Sequence, residues 1–242
     1  MSLQFIIGSS GIGKTHYACE QIIRESMENP QHLYYIIVPE QFTMQTQKNV
    51  VEMHPGKGIL NIDVLSFQRL AYRIFEETGG AREVLLDDTG KSMVLQKLVQ
   101  QHRKNLPYLG SQMNKPGYLD EVKSLISEFM QYDIREEELQ DMLGKTGEDS
   151  LLHMKMQDVG VLYQAFLQYL EGHYMTGEGV MDALKKAIPF SDKLKKSVLL
   201  LDGFTGFTPV QMNVIRELLN VCDKVLVTVS YTHLTLPTTS RV

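Results

Sequence analysis

Residues 3–15, LQFIIGSSGIGKT, run a short β-prone stretch into a glycine-rich turn, and a helical pattern, His16–Glu28, follows at once. Gly8-Ser9-Ser10-Gly11-Ile12-Gly13-Lys14-Thr15 fits the spacing G-x-x-x-x-G-K-[ST] at every position. The spacing has a physical reason. Glycines let backbone N–H groups turn inward around phosphates, and the following helix points its positive end at them. A lysine at position 14 reaches β- and γ-phosphates, and the Thr15 hydroxyl is placed to complete a Mg²⁺ shell. The loop is therefore read as a nucleotide site for ATP with Mg²⁺; a solvated lysine on a plain strand–helix turn is the bland alternative.

Further along, Tyr34–Val38, Ile62–Phe67, Val198–Asp202 and Lys224–Val229 repeat the character of Leu3–Ile7. They are nearly continuous apolar runs without alternation, as strands covered on both faces are. Helical patterns such as Pro209–Val221 separate them, so the order predicts crossover units and a mostly parallel sheet flanked by helices. Between Gly79 and Lys196 only helical spacing appears, in DDTGKSMVLQKLVQQH, GYLDEVKSLISEFMQYD and MQDVGVLYQAFLQYLEGHY. That stretch reads as an all-helical insertion. The expected division is a core of residues 1–79 and 196–229, an insertion of 80–195, and a tail of 230–242. The tail, SYTHLTLPTTSRV, has no helical period and resembles a translated sequencing-adapter end. On that reading the natural protein continues past about Val229; a genuine disordered terminus is the alternative.

The chain's 242 residues, 43% hydrophobic, are enough for a sizeable core. A net charge of −5 argues against a generally basic, nucleic-acid-coating surface. Cys19 and Cys222 lie far apart in apolar stretches, which suits buried thiols in a reducing cytoplasm. No run approaches the ~18 apolar residues of a membrane helix, and the first apolar run is too short for a signal peptide. The expectation is a cytoplasmic protein with no membrane association.

Val198–Asp202 supplies a second element of the site, a strand ending in a carboxylate suited to hold Mg²⁺ through water; capping of the next turn is its bland reading. Hydrolysing enzymes of this kind put a glutamate next to that aspartate. Here the neighbour is Gly203, so binding is expected to outlast hydrolysis.

With these motifs placed, FIIGSSGIGKT, IIVPEQFTMQTQ, DVLSFQRLAYRIF and LLLDGFTGFTPVQ together resemble, in order, the amino-terminal part of the AddB family, the B subunits of bacterial AddAB helicase–nucleases. The resemblance covers about residues 1–229. It implies a RecA-like P-loop NTPase core of superfamily 1 type, with the insertion as its 1B subdomain. It implies binding to single- or double-stranded DNA ends, a heterodimer with an AddA-type motor, and a role in double-strand break repair by recombination. Against active motors, Asp202 and Gln211 match the D-E-x-Q region, whereas Gly203 and Thr205 replace its glutamate and glutamine. An adenine-contacting glutamine upstream of the loop has no counterpart. The family's iron–sulfur cluster has no cysteine set in this sequence, and neither does its nuclease a carboxylate set.

By the same resemblance Pro39, Gln41, Phe42, Thr43, Ser66, Phe67 and Gln68 occupy the loops that touch single-stranded DNA. Aromatic rings stack on bases, and hydroxyls and amides bind phosphates. Phe42 and Phe67 also begin apolar-periodic helices, so core packing stands equally as their role. Lys185, Lys186, Lys193, Lys195 and Lys196 form a basic run that reads first as a solvated face. From another class, a stand-alone P-loop kinase acting on a small molecule fits the loop, but the insertion lacks the clustered arginines of a phosphate-clamping lid. A pure scaffold with a nucleotide that never turns over is the third reading.

Overall fold

A computed structural model describes residues 2–80, 83–112, 115, 117–147 and 150–230. The expected tail beyond Ser230 lies outside the described residues. In chain order the first elements are β1 (Ser2–Gly8), α1 (Lys14–Glu28), β2 (Leu33–Ile37), α2 (Thr43–Met53), β3 (Ile62–Leu65) and α3 (Phe67–Thr78). Then come β4 (Val84–Leu85), α4 (Asp88–His102), α5 (Leu109–Gln112), α6 (Tyr118–Gln131), α7 (Glu136–Gly144), α8 (Leu151–Leu170), β5 (Tyr174–Met175) and α9 (Gly177–Ala187). The last described elements are α10 (Asp192–Lys195), β6 (Ser197–Leu201), α11 (Pro209–Val221) and β7 (Lys224–Ser230).

The chain divides into two compact units. One comprises 2–80, 183–207 and 211–230; the other comprises the described residues of 83–182 with 208–210.

In the first unit five strands pair in the order β1-β7-β6-β2-β3, every neighbour parallel. Central β2 and β6 are built of Tyr, Ile and Leu and are almost wholly buried, as strands with helices on both faces must be. The register pairs Ile7 with Val229, Leu201 with both Val227 and Ile37, and Ile37 with Leu65. All five strands therefore end along one edge, and the loops leaving that edge carry the motifs. Under α1 and α2 lies a core of Ala18, Ile22, Val50, Tyr34, Ile36, Val198, Leu200 and Leu226, with Ile6 packed against it.

One expectation fails here. Among the described residues β1 is not covered on both faces: it lies at the edge of the sheet, and Leu3, Phe5 and Ile7 are 45, 54 and 62% exposed. A continuous apolar run reads the same whether its cover is in place or not. The third strand also stops at Leu65, because the Ser66 hydroxyl accepts from Arg69 N–H at 3.3 Å and caps α3, drawing Phe67 into the helix.

Among its described residues the second unit has helices and one short pair of strands, β4 and β5, which pair in parallel through Val84–Tyr174 and Leu85–Met175. The expected all-helical stretch is corrected by this pair; two residues per strand are too few to give a period-two signal. Its core joins Leu95, Leu98, Leu106, Ile126, Leu139, Leu162 and Phe166, with Phe129 edge-on to Tyr163 at 5.5 Å. Asp158, fully buried on α8, accepts from Tyr108 and Leu109 N–H at 2.9 and 2.7 Å and so starts α5. Burial pushes the Asp158 carboxyl above its ordinary value, against the pull of those two bonds.

Candidate nucleotide and DNA site

The loop Gly8–Thr15 leaves β1 and enters α1 through Gly13, whose φ of 90° is open to glycine at little cost. No side chain caps α1, so the first backbone N–H groups face the loop without an internal partner. Lys14 Nζ donates to the Ser9 carbonyl at 2.7 Å, folding the lysine across its own loop.

Asp202 follows β6 directly and is 4% exposed; its N–H donates to the Ile37 carbonyl at 3.0 Å, which ties it to β2. The Thr15 hydroxyl donates to Asp202 Oδ1 at 3.0 Å across 187 residues of sequence. A second hydroxyl, Thr228 on β7, donates to the same oxygen at 2.6 Å. Because β7 lies between β1 and β6, Thr228 stands between the loop and the carboxylate.

These groups open onto a cavity of about 880 Å³, within the range of small-molecule sites. Ser10, Gly11, Gly13, Lys14, Thr15 and Asp202 line it, as do Gly203, Thr205, Thr228 and the α2 residues Thr46 and Asn49. Gly8, Ser9, Ile12 and Gln211 are not among its lining residues; Gln211 lies half-buried on the first turn of α11. Cys19 lies in the wall, and burial, helped by the Asp202 charge, pushes its thiol up to about 12. That keeps it protonated and unreactive at neutral pH. Burial likewise raises Cys222 to about 11, where Ser197 Oγ reaches its sulfur at 3.5 Å.

A hydroxyl and one carboxylate sharing a point, with phosphate oxygens and waters for the remaining ligands, is a donor set that fits Mg²⁺. Among the described residues no group of three His, Cys, Asp or Glu is placed to hold a metal by itself. No helix among them is long and apolar enough to cross a membrane.

The proposed DNA-facing residues separate by exposure. Gln41, Phe42 and Gln68 are exposed, Phe42 by 48%. Pro39 is half-buried, whereas Thr43, Ser66 and Phe67 are buried. Thr43 Oγ1 donates to the Glu40 carbonyl at 2.9 Å, Ser66 caps α3, and Phe67 packs at 5.5 Å on Phe204 and 6.5 Å on Phe207. Phe204 and Phe207, 4.9 Å apart and half-buried, join this aromatic cluster without any signal in the sequence. Their spacing in a loop has no periodicity, and only the fold brings them to Phe67. The Thr228 signal is a single polar residue within KVLVTV, indistinguishable from ordinary strand preference. Arg69 closes this side by pairing with Glu40 at 2.9 Å.

Comparison with known proteins bears on the chain as a whole. The family model described as ADDB, N-terminal, matches residues 5–240. The B subunit of the ATP-dependent helicase/deoxyribonuclease of Lachnoclostridium phytofermentans is 45% identical over 230 residues, covering 95% of this chain and 20% of that protein. Proteins of the same name are 33% identical in Alkaliphilus metalliredigens, over 94% of the chain, and in Geobacillus thermodenitrificans, also over 94%. The chain spans about a fifth of the length of the curated relatives it matches. With its parallel sheet, its glycine loop at Gly8–Thr15 and the match across 5–240, the chain belongs to the AddB N-terminal family.

Proposed function

We propose that this chain is the ATP- and DNA-binding amino-terminal part of a helicase–nuclease AddB protein that works at double-strand DNA ends in recombinational repair. The observation that carries the reading is the 3.0 Å hydrogen bond from Thr15 to Asp202, which unites the glycine loop with a distant strand end. On this reading residues 1–79 and 196–229 are a RecA-like P-loop core and 80–195 a 1B-like insertion. Gly8–Thr15 wraps the phosphates with backbone N–H groups, and Lys14 leaves the Ser9 carbonyl for the β- and γ-phosphates. Thr15 and Asp202 hold the cation. Bound Mg²⁺ supplies neutralisation of phosphate charge.

Turnover is slow or absent, because Gly203 offers no carboxylate to orient a water. DNA is met by Gln41, Phe42 and Gln68 with the rings of Phe204 and Phe207, through stacking that tolerates any base. Translocation then belongs to an AddA-type partner, and the nuclease and iron–sulfur cluster to parts of the full-length protein outside the matched fifth. The setting is cytoplasmic.

Titration calorimetry of Mg·ATP against the wild-type chain, Lys14→Ala and Asp202→Ala tests this. Saturable binding by the wild type, lost in Lys14→Ala and dependent on Mg²⁺ only when Asp202 is present, is the expected result. A folded wild type that takes up no nucleotide overturns the ATP part of the reading.

A further inference from the structure

The second unit holds a cavity of its own, about 440 Å³ and within the size range of ligand sites. Every residue lining it belongs to that unit. Much of the lining is apolar, from Met130, Ile134, Leu139 and Leu167. Leu139 on α7 is buried, whereas Leu167 on α8 keeps 40% of its surface open. Tyr163 adds its ring; the phenol is already engaged, donating to the Ile134 carbonyl at 3.0 Å.

The polar lining is one-sided in charge. Asp133, Glu136, Glu178 and Asp182 bring carboxylates, and Arg135 is the one cation among the described lining residues. Lys91 neutralises Glu178, meeting both of its oxygens at 3.0 Å. Arg135 does less for its neighbours. It reaches Asp133 Oδ2 only at 3.7 Å from a side chain that is 76% exposed, where an ion pair is worth little. Negative charge therefore stands in surplus at Asp133 and Glu136, both of them exposed. The backbone that carries them is fastened in advance. Asp133 and Ile134 N–H donate to the Met130 and Phe129 carbonyls at 3.2 and 2.9 Å, and Arg135 N–H donates to Glu138 Oε2 at 3.0 Å. An ordered site loses little conformational freedom when it binds.

Surplus carboxylates beside an apolar lining repel a nucleic-acid backbone and favour a cation on a hydrocarbon stem. We propose that this cavity is a docking pocket for an arginine of a partner protein, carried next to an apolar residue in a basic segment. The stem lies along Ile134 and Leu167, and the guanidinium takes the place of Arg135 beside Asp133 and Glu136. Arginine suits the pocket better than lysine, because one rigid fork of N–H donors serves two separate carboxylates. A volume of this size takes more than one side chain, so the apolar neighbour enters with the cation. The inference stands on the second unit's own cavity and holds whether or not the glycine loop binds ATP.

Methyl NMR of Ile134, Leu139 and Leu167 in the 242-residue chain tests it. The probe is the capped dipeptide N-acetyl-leucyl-arginine amide, and the control is its citrulline counterpart, of nearly the same shape without the charge. The expected result is a saturable shift of those methyls by the arginine probe, at least about tenfold tighter than by the control. Asp133→Asn with Glu136→Gln, at exposed positions, should leave the thermal midpoint unchanged and bring the arginine probe down to the level of the control. Arg135→Gln removes the competing cation and should tighten the arginine probe, a gain that a damaged fold would not give. Methyls that respond to neither probe overturn the proposal, and so does equal affinity for the two. An arginine response that the double variant leaves intact overturns it as well. Shifts of the same methyls on concentrating the chain alone, or on adding a DNA duplex, do the same, because the occupant is then a second copy or nucleic acid.

Discussion

Thr228 Oγ1 stands 2.6 Å from Asp202 Oδ1, closer than Thr15 Oγ1 at 3.0 Å, and both hydroxyls donate to that one oxygen. The two donors differ in what happens next. On the proposed reading Thr15, which belongs to the loop, turns to the cation when nucleotide arrives, whereas Thr228 sits in the sheet and keeps the carboxylate aimed. Replacing Thr228 with valine keeps the shape and removes a bond to a charged acceptor, about 1.5 kcal/mol, or close to tenfold in affinity. Calorimetry should show that loss for Mg·ATP, with ATP in EDTA unaffected and Thr228→Ser restoring the wild-type value. An equal loss with and without Mg²⁺ would point to a folding defect instead.

Gly203 cannot simply be exchanged for the missing glutamate. Its φ of 77° is strained for any side chain, at about 1 kcal/mol, although a Cβ there would meet only ordinary contacts at 3.6 Å to Pro39 and 4.0 Å to Phe42. Gly203→Glu is expected to lower stability by that amount and to leave phosphate release at background. A burst of ATPase activity in this variant would mean that the glutamate alone was lacking.

Glu25 on α1 receives Lys224 Nζ from β7 at 2.6 Å and Gln21 Nε2 at 2.9 Å. Burial works against its charge, yet these bonds hold the carboxyl below its ordinary 4.5. Its contribution is therefore present above pH 4.5 and lost as the pH falls through the lower folded-state value. Thermal midpoints measured from about pH 7 to about pH 3 should fall in that acidic window, and Glu25→Gln should flatten the fall by about 1 kcal/mol.

In the second unit the Lys91 ammonium is buried and meets both Glu178 oxygens at 3.0 Å and Ser127 Oγ at 3.2 Å. Glu178 sits below its ordinary value: burial opposes ionisation, and a backbone bond and Lys91 outweigh it. Lys91→Met strands a buried carboxylate and should cost about 3 kcal/mol, while Lys91→Met with Glu178→Leu should recover most of it. Urea unfolding of the three proteins decides; additive losses in the double variant would refute the pairing.

Phe204→Ala should weaken single-stranded DNA binding by about 1–3 kcal/mol per stacked base, regardless of sequence. Fluorescence anisotropy with unrelated oligonucleotides reads this out, and unaltered affinity would leave the ring a packing residue against Phe67.

What is legible in the sequence is local. The glycine loop has a fixed spacing because backbone geometry fixes it, and Asp202 stands out because it ends an apolar strand. Thr228, Phe204 and Phe207 stay hidden, since their meaning comes from neighbours 26 to 140 or so residues away that only the sheet order brings near. β4 and β5 are too short for any periodic signal, and the openness of β1 cannot be written in the composition of β1. Thr43 and Ser66 read as DNA ligands by position, while their hydroxyls are engaged at helix starts.

Glu77, near the end of α3, accepts from Ser191 Oγ at 2.6 Å and from Lys193 N–H at 3.0 Å. One side chain thus fastens the place where the polypeptide leaves the sheet's unit to the place where it comes back. The segment strung between those two points begins and ends at a closed clasp, so a change in its length costs little closure entropy and falls outside the strands that cradle the glycine loop.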